Sequence, residues 1–223
     1  MIDFEMRLHR QGMWKLPVLV WQLGRPIWTI STAPHGGGLG PRRWIINAQL
    51  PPGCAGRDLD DRLAQLGISL GLSGEGVGML TIGDVRHLWR GREGGVEVVV
   101  TVSVEQATPA AGSNGPATVA PSVSANVLAV LPEPVCDAAL VNAVTTVAEA
   151  RVETLWDAGL VATAPSSDAI SILCHGHGER RSSGRSHSRW EPALARAVRT
   201  AVAAAAAADV MAGGALGHEE DCG

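Results

Sequence analysis

The chain has 223 residues, 46% of them hydrophobic and 18% charged, and a formal net charge of −4. That is the composition of a soluble globular protein, long enough to bury a sizeable core as one large domain or two small ones. The charge gives no basic footprint for nucleic acid, and the four cysteines (Cys54, Cys136, Cys174, Cys222) include no CxxC pair of the kind that holds zinc or forms a redox dithiol.

The opening "MIDFEMRLHRQGMWKLPVLVWQ" carries acids at Asp3 and Glu5 and only a short apolar stretch, so it reads as neither a signal peptide nor a membrane span. A cytoplasmic protein is expected. Short runs rich in β-branched residues or Trp, bounded by Gly and Pro, predict strands over 15–23, 26–32 and 43–50. In 57–72, Leu59, Leu63, Leu66 and Leu70 keep helical spacing, with Asp58 or Asp60 as the cap. After the turn "SGEG", residues 77–83 read as a buried strand. Residues 85–105 then read as a hairpin turning at Gly94-Gly95.

Residues 106–123 are a Pro, Ala, Gly, Ser and Thr loop rather than a domain linker, since neither side is complete alone. A strand resumes over 124–134. The longest helix is expected over 136–160, with Leu140, Val144, Val147 and Leu155 inward. A last strand (167–174), a polar loop (175–190) and a closing helix (191–209) that frays into a tail complete the chain. The order predicts an α+β (mixed α/β) fold: one domain over 1–210, a largely antiparallel sheet covered by helices, and a disordered tail over 211–223.

The most informative stretch is "STAPHGGGLGPRRWIINAQL", residues 31–50. Glycine costs backbone entropy, so Gly36, Gly37, Gly38 and Gly40 mark a sharp turn or a close approach of backbone to something, either the chain itself or a ligand. His35 and Asn47 flank the turn and can converge on one pocket; the plainer reading is a glycine-rich hairpin with a surface histidine. Asn47 and Asn126, polar amides in apolar strands, must find partners if buried. In the long helix, Asn142, Thr146, Glu149 and Glu153 share one polar face, which by default is solvated. "GEGVG" and "HGGGLG" fit neither the P-loop nor the dinucleotide fingerprint. His175 and His177 lack a third ligand of defined spacing, and no metal is expected.

Taken together these blocks resemble the adenosylcobinamide amidohydrolase family. The resemblance runs from about Pro17 to Val202, through "STAPHGGGLGPRRWIINAQLP", "GVGMLTIGDV", "AALVNAVTTVAEAR", "SSDAISILC" and "SRWEPALARAV" in the family's order. Ser167 stands where the family usually has Thr, Ala164-Pro165 replaces Gly-Thr, Arg151 replaces Lys, and His35 stands where distant members often carry Asn. The resemblance implies hydrolysis of the amide joining aminopropanol to the corrin ring's propionate arm, giving adenosylcobyric acid and 1-amino-2-propanol in cobinamide salvage. A corrinoid-binding protein without catalysis is the alternative.

On that reading the catalytic candidates are His35, Asn47, Ser167 and Asp168. His35 or Asp168 would activate water, Ser167 would act as nucleophile or proton relay, and Asn47 with glycine N–H groups would hold the oxyanion. Gly36, Gly37, Gly38, Thr81, Asn126, Asn142 and Glu149 are the substrate-binding candidates, the glycines being expected to let backbone approach the corrinoid's amides. The corrinoid is the substrate, no separate cofactor is implied, and no nucleic-acid or membrane partner is expected. Whether the protein is a homo-oligomer is left open.

Overall fold

The computed structural model describes residues 3–51, 58–105, 122–160, 168–175 and 190–216, without the side chains of 104, 105, 122 and 209–216. Ser167, His177, Ala164-Pro165, Cys54, Cys222 and almost all of the 106–123 loop lie outside these residues.

A single mixed sheet dominates, and its order follows from how the apolar strands pair. The strands are β1 (Glu5–Gln11), β2 (Trp14–Ser31), β3 (Gly38–Gln49), β4 (Gly76–Thr81), β5 (Leu88–Glu93), β6 (Val96–Glu105), β7 (Ser122–Leu131) and β8 (Ile170–Cys174). They run in the order β4-β3-β2-β8-β7-β6-β5, with β1 paired to β2. Among the described residues only the β3–β4 and β7–β8 pairs are parallel. The helices are α1 (Leu59–Ser69), α2 (Asp137–Asp157) and α3 (Trp190–Leu216). The chain is thus a single α+β domain, as its patterning predicts, and among the described residues no helix is long and apolar enough to cross a membrane.

The sheet curls so that its halves face each other across a core of Leu19, Trp21, Ile45, Val77 and Met79 from one half and Leu128, Ala169 and Leu173 from the other. Strand alternation sends the other face of each half outward to a helix. Val18, Val20, Trp44 and Ile46 pack under Leu63 of α1. Val98, Val100, Val127 and Ile172 pack under Leu140 and Val147 of α2 and Leu194 and Val198 of α3. Burial on both faces explains why β6 reads as an almost unbroken valine run.

Several boundaries differ from the sequence reading. The strands expected over 15–23 and 26–32 are one strand, β2, whose pairing with β3 shifts register between Gln22 and Ile27. Gly24, with φ 65°, lies in that irregularity, so the "GRP" read as a break is a kink within a continuous strand. β1 is an additional strand, in register with β2 from Glu5↔Val20 to Gln11↔Trp14. Gly94 and Gly95, both at positive φ, form the expected two-residue hairpin turn. Asp58 precedes α1 at φ 68° and makes no side-chain cap bond, so neither aspartate caps that helix as expected. α3 continues to Leu216, into the stretch expected to fray.

Candidate functional site

The two glycine-rich runs are halves of one construction. Trp44, on the outward face of β3, needs room for its indole, and Gly76 provides it: a Cβ there would lie 2.0 Å from the ring. The indole N–H donates to the Gly74 carbonyl at 2.9 Å. The imidazole of His35 stacks on that indole, with centroids 5.6 Å apart and planes 14° from parallel. The backbone of His35 bridges Gly78 in both directions, its N–H reaching the Gly78 carbonyl at 3.5 Å and its carbonyl accepting from the Gly78 N–H at 3.1 Å. Gly36, at φ 63°, passes so close to β4 that a Cβ would meet the Gly76 carbonyl oxygen at 1.8 Å. The close approach expected toward a ligand is thus made, at Gly36 and Gly76, to the chain itself.

Behind the turn lies Arg42, only 8% exposed. Its guanidinium donates to the carbonyl of Gly36 through Nε (3.1 Å) and Nη2 (3.0 Å), to that of Gly37 at 3.4 Å and to that of Pro41 at 3.1 Å. Because a trans peptide sets N–H opposite C=O, the Gly37 N–H points away from Arg42, and Gly37 itself is exposed. Neither Gly36 nor Gly37 directs its N–H to a backbone carbonyl among the described residues. Arg42 has no carboxylate partner among them either, so its positive charge lies behind the peptide whose N–H, that of Gly37, points away from it.

In front of the turn, Nδ1 of His35 hydrogen-bonds Oδ1 of Asp60, in the first turn of α1, at 2.6 Å. Nε2 has no hydrogen bond among the described residues, and the side chain is one-fifth exposed. The result is an imidazole with a fixed plane, one engaged nitrogen and one free nitrogen.

Asn47 lies elsewhere. Trp44 and Asn47 differ by an odd number of residues, so their side chains leave β3 on opposite faces. Asn47 is buried between the halves of the sheet, where it donates to Thr101 Oγ1 at 2.8 Å and accepts from Asn126 Nδ2 at 3.0 Å. Asn126 also donates to the Leu80 carbonyl (2.8 Å) and accepts from the Ala169 N–H (3.0 Å). The side chains of His35 and Asn47 therefore do not converge.

Asp168 follows the same pattern of internal engagement. One carboxylate oxygen accepts from the Ala125 N–H at 2.8 Å and the other pairs with Arg151 of α2. Burial pushes the Asp168 carboxyl above its usual range, while Arg151, the Ala125 N–H and the Ser124 hydroxyl pull it back. Thr81 is buried and accepts from the Gly83 N–H at 3.1 Å. Gly38 opens β3 opposite Ser31. Asn142 and Glu149 are exposed on α2, on the side away from buried Arg151. Their face is solvated, as the default reading of its spacing has it. His175 is exposed at the end of β8, and among the described residues no three His, Cys, Asp or Glu side chains are grouped to hold a metal ion.

Sequence reasoning missed Asp60, which it read as a helix cap, and Arg42, which carried no motif. A helical acid that makes no cap leaves its carboxylate for another partner, but the partner is 25 residues back in sequence and only the fold reveals it.

The family described as adenosylcobinamide amidohydrolase matches residues 3–213. No curated protein matches the chain. Among solved structures, it is similar to the crystal structure of the PH0078 protein from Pyrococcus horikoshii OT3, at 12% identity over 93% of this chain and 83% of that one, with a TM-score of 0.42. With the match spanning nearly its whole length, the chain belongs to the adenosylcobinamide amidohydrolase family.

Proposed function

We propose that this protein hydrolyses adenosylcobinamide at the amide joining aminopropanol to the corrin ring's propionate arm, releasing adenosylcobyric acid and 1-amino-2-propanol for cobinamide salvage. Family membership supports an amidohydrolase. The observation that carries the site assignment is Nε2 of His35, which makes no hydrogen bond among the described residues and stands at the start of a glycine turn whose Gly37 N–H points away from Arg42.

Amide hydrolysis needs a base for water, donors for the oxyanion and an acid for the departing amine. Nε2 of His35 takes a proton from water as the water oxygen bonds to the amide carbon. The carbonyl π electrons move onto oxygen, and the N–H groups of Gly36 and Gly37, with the charge of Arg42 behind them, hold the oxyanion. The imidazolium then returns its proton to the amide nitrogen. The C–N bond breaks as the carbonyl re-forms, leaving a carboxylic acid and a free amine. Asp168 is a poorer base, because both its oxygens are engaged. Asn47, Asn126 and Asp168 hold the frame that carries the turn.

Incubating the protein with adenosylcobinamide and following 1-amino-2-propanol by mass spectrometry tests the reading, with a corrin absorbance titration alongside. Amine release is expected. Binding without release identifies a corrinoid-binding protein instead, and neither binding nor release rejects this substrate.

A further inference from the structure

We infer that Asp60 is the positioning residue of this site: its carboxylate fixes which nitrogen of His35 carries the proton and which faces substrate. The inference rests on His35 acting as the base, as proposed above.

Stacking on Trp44 sets the plane of the His35 ring, and the paired bonds to Gly78 set its backbone. Neither constraint distinguishes the ring from the same ring turned over by 180°, because a stack sees only the face. The Asp60 contact removes that ambiguity. A carboxylate only accepts, so at 2.6 Å Nδ1 must carry hydrogen, and in the neutral ring Nε2 then keeps its lone pair. Without Asp60 the ring is free to flip and to take the Nε2–H form that unconstrained neutral histidines favour, in which Nε2 cannot accept a proton from water. When Nε2 does accept one, Asp60 also faces the new positive charge across Nδ1–H.

Stability does not explain the pair. Asp60 is 69% exposed, and exposed ion pairs contribute little to folding. Asp58, two residues earlier, holds a left-handed φ of 68° and makes no side-chain cap bond, so neither aspartate serves the helix start as a cap.

The test compares Asp60→Ala, Asp60→Glu and, as a control, Asp61→Ala, which alters the neighbouring exposed acid of the same helical turn. Two readouts are needed: the His35 ring tautomer from 15N resonances of histidine-labelled protein, and kcat and KM for amine release from adenosylcobinamide. We expect the wild type to hold the Nδ1–H form and Asp60→Ala to move to the Nε2–H form. Asp60→Ala should lose kcat on the order of 100-fold at an unchanged KM, with an unchanged melting temperature. Asp60→Glu should recover part of both, and Asp61→Ala should match wild type. A wild-type tautomer or a wild-type kcat in Asp60→Ala overturns the inference. If the wild-type protein releases no amine, the functional reading falls, while the tautomer still decides whether Asp60 sets the ring.

Discussion

Gly36 and Gly76 meet backbone to backbone, so closely that a Cβ on Gly36 would sit 1.8 Å from the Gly76 carbonyl oxygen. Gly12 has nearly the same φ (59° against 63°), but among the described residues nothing lies within 4 Å of its missing Cβ. The pair separates two costs that are usually confounded. Gly12→Ala should lose about 1 kcal/mol, the backbone term alone. Gly36→Ala should lose that and roughly 1–3 kcal/mol more, because the obstruction is backbone and cannot swing aside. Urea unfolding of both variants measures the difference, and equal losses would mean that the turn can lift off β4 freely.

Asn126 joins three strands through one amide. It reaches the Leu80 carbonyl of β4, the Ala169 N–H before β8 and Asn47 of β3. Asn126→Ala leaves these buried groups without their partner. Each unmet buried group costs about 1–3 kcal/mol, so this variant should be among the least stable, with hydrogen-exchange protection lost first in β4. Protection lost evenly over all strands would argue that Asn126 is not a local stitch.

Much of this fold can be read from residue patterns, and the site less so. The valine run of β6, the Gly94-Gly95 turn and the leucine spacing of α1 each obey a local rule, so their positions follow from local sequence. The glycine runs at 36–38 and 74–78 also stand out in the sequence, but what they approach depends on β3 and β4 lying in parallel register, a long-range fact. Parity alone puts Trp44 and Asn47 on opposite faces of β3. That His35 sides with Trp44 is set by the bridge to Gly78, which no spacing encodes. Asp168 stands out as an acid at a strand entrance, yet its partner Arg151 comes from a helix.

The Arg151–Asp168 pair makes a pH-dependent prediction. Burial already raises the carboxyl and Arg151 opposes that rise, so removing the guanidinium in Arg151→Met raises it further. A folded-state value above the unfolded one means that the folded state binds the proton more tightly. The variant then loses stability as pH rises from the ordinary aspartate range through the raised value. Its deficit against wild type should be small near pH 4 and grow toward roughly 3–5 kcal/mol at pH 7. Chemical denaturation at both pH values checks this, and a deficit independent of pH would mean that Asp168 does not need Arg151 to stay ionised.

His9 of β1 points the other way. Burial lowers its value more than its bond to the Gln49 carbonyl raises it. The stability it contributes is present above pH 6.5, the ordinary histidine value, and is lost as pH falls toward the depressed one. β1 should therefore lose exchange protection as pH falls below 6.5, after correction for intrinsic rates, and His9→Gln should abolish that dependence. Equal acid sensitivity in β1 of the variant would assign the effect to another group.

The strongest demand on the site falls on His35 itself. Its backbone bonds to Gly78 survive substitution and the pair with Asp60 adds little to folding, so His35→Ala should cost mainly the stack on Trp44, about 0.5–1.5 kcal/mol. Turnover should nonetheless fall by roughly 10²–10⁴-fold, the range a positioned base supplies. Corrinoid affinity should stay nearly unchanged, since the glycine N–H groups and Arg42 remain in place. His35→Asn is the more discriminating variant: its amide can bond Asp60 and orient a water, yet it cannot take a proton at neutral pH. If His35→Asn turns over as fast as wild type, water is positioned rather than deprotonated at this point. The base must then be sought outside the glycine turn.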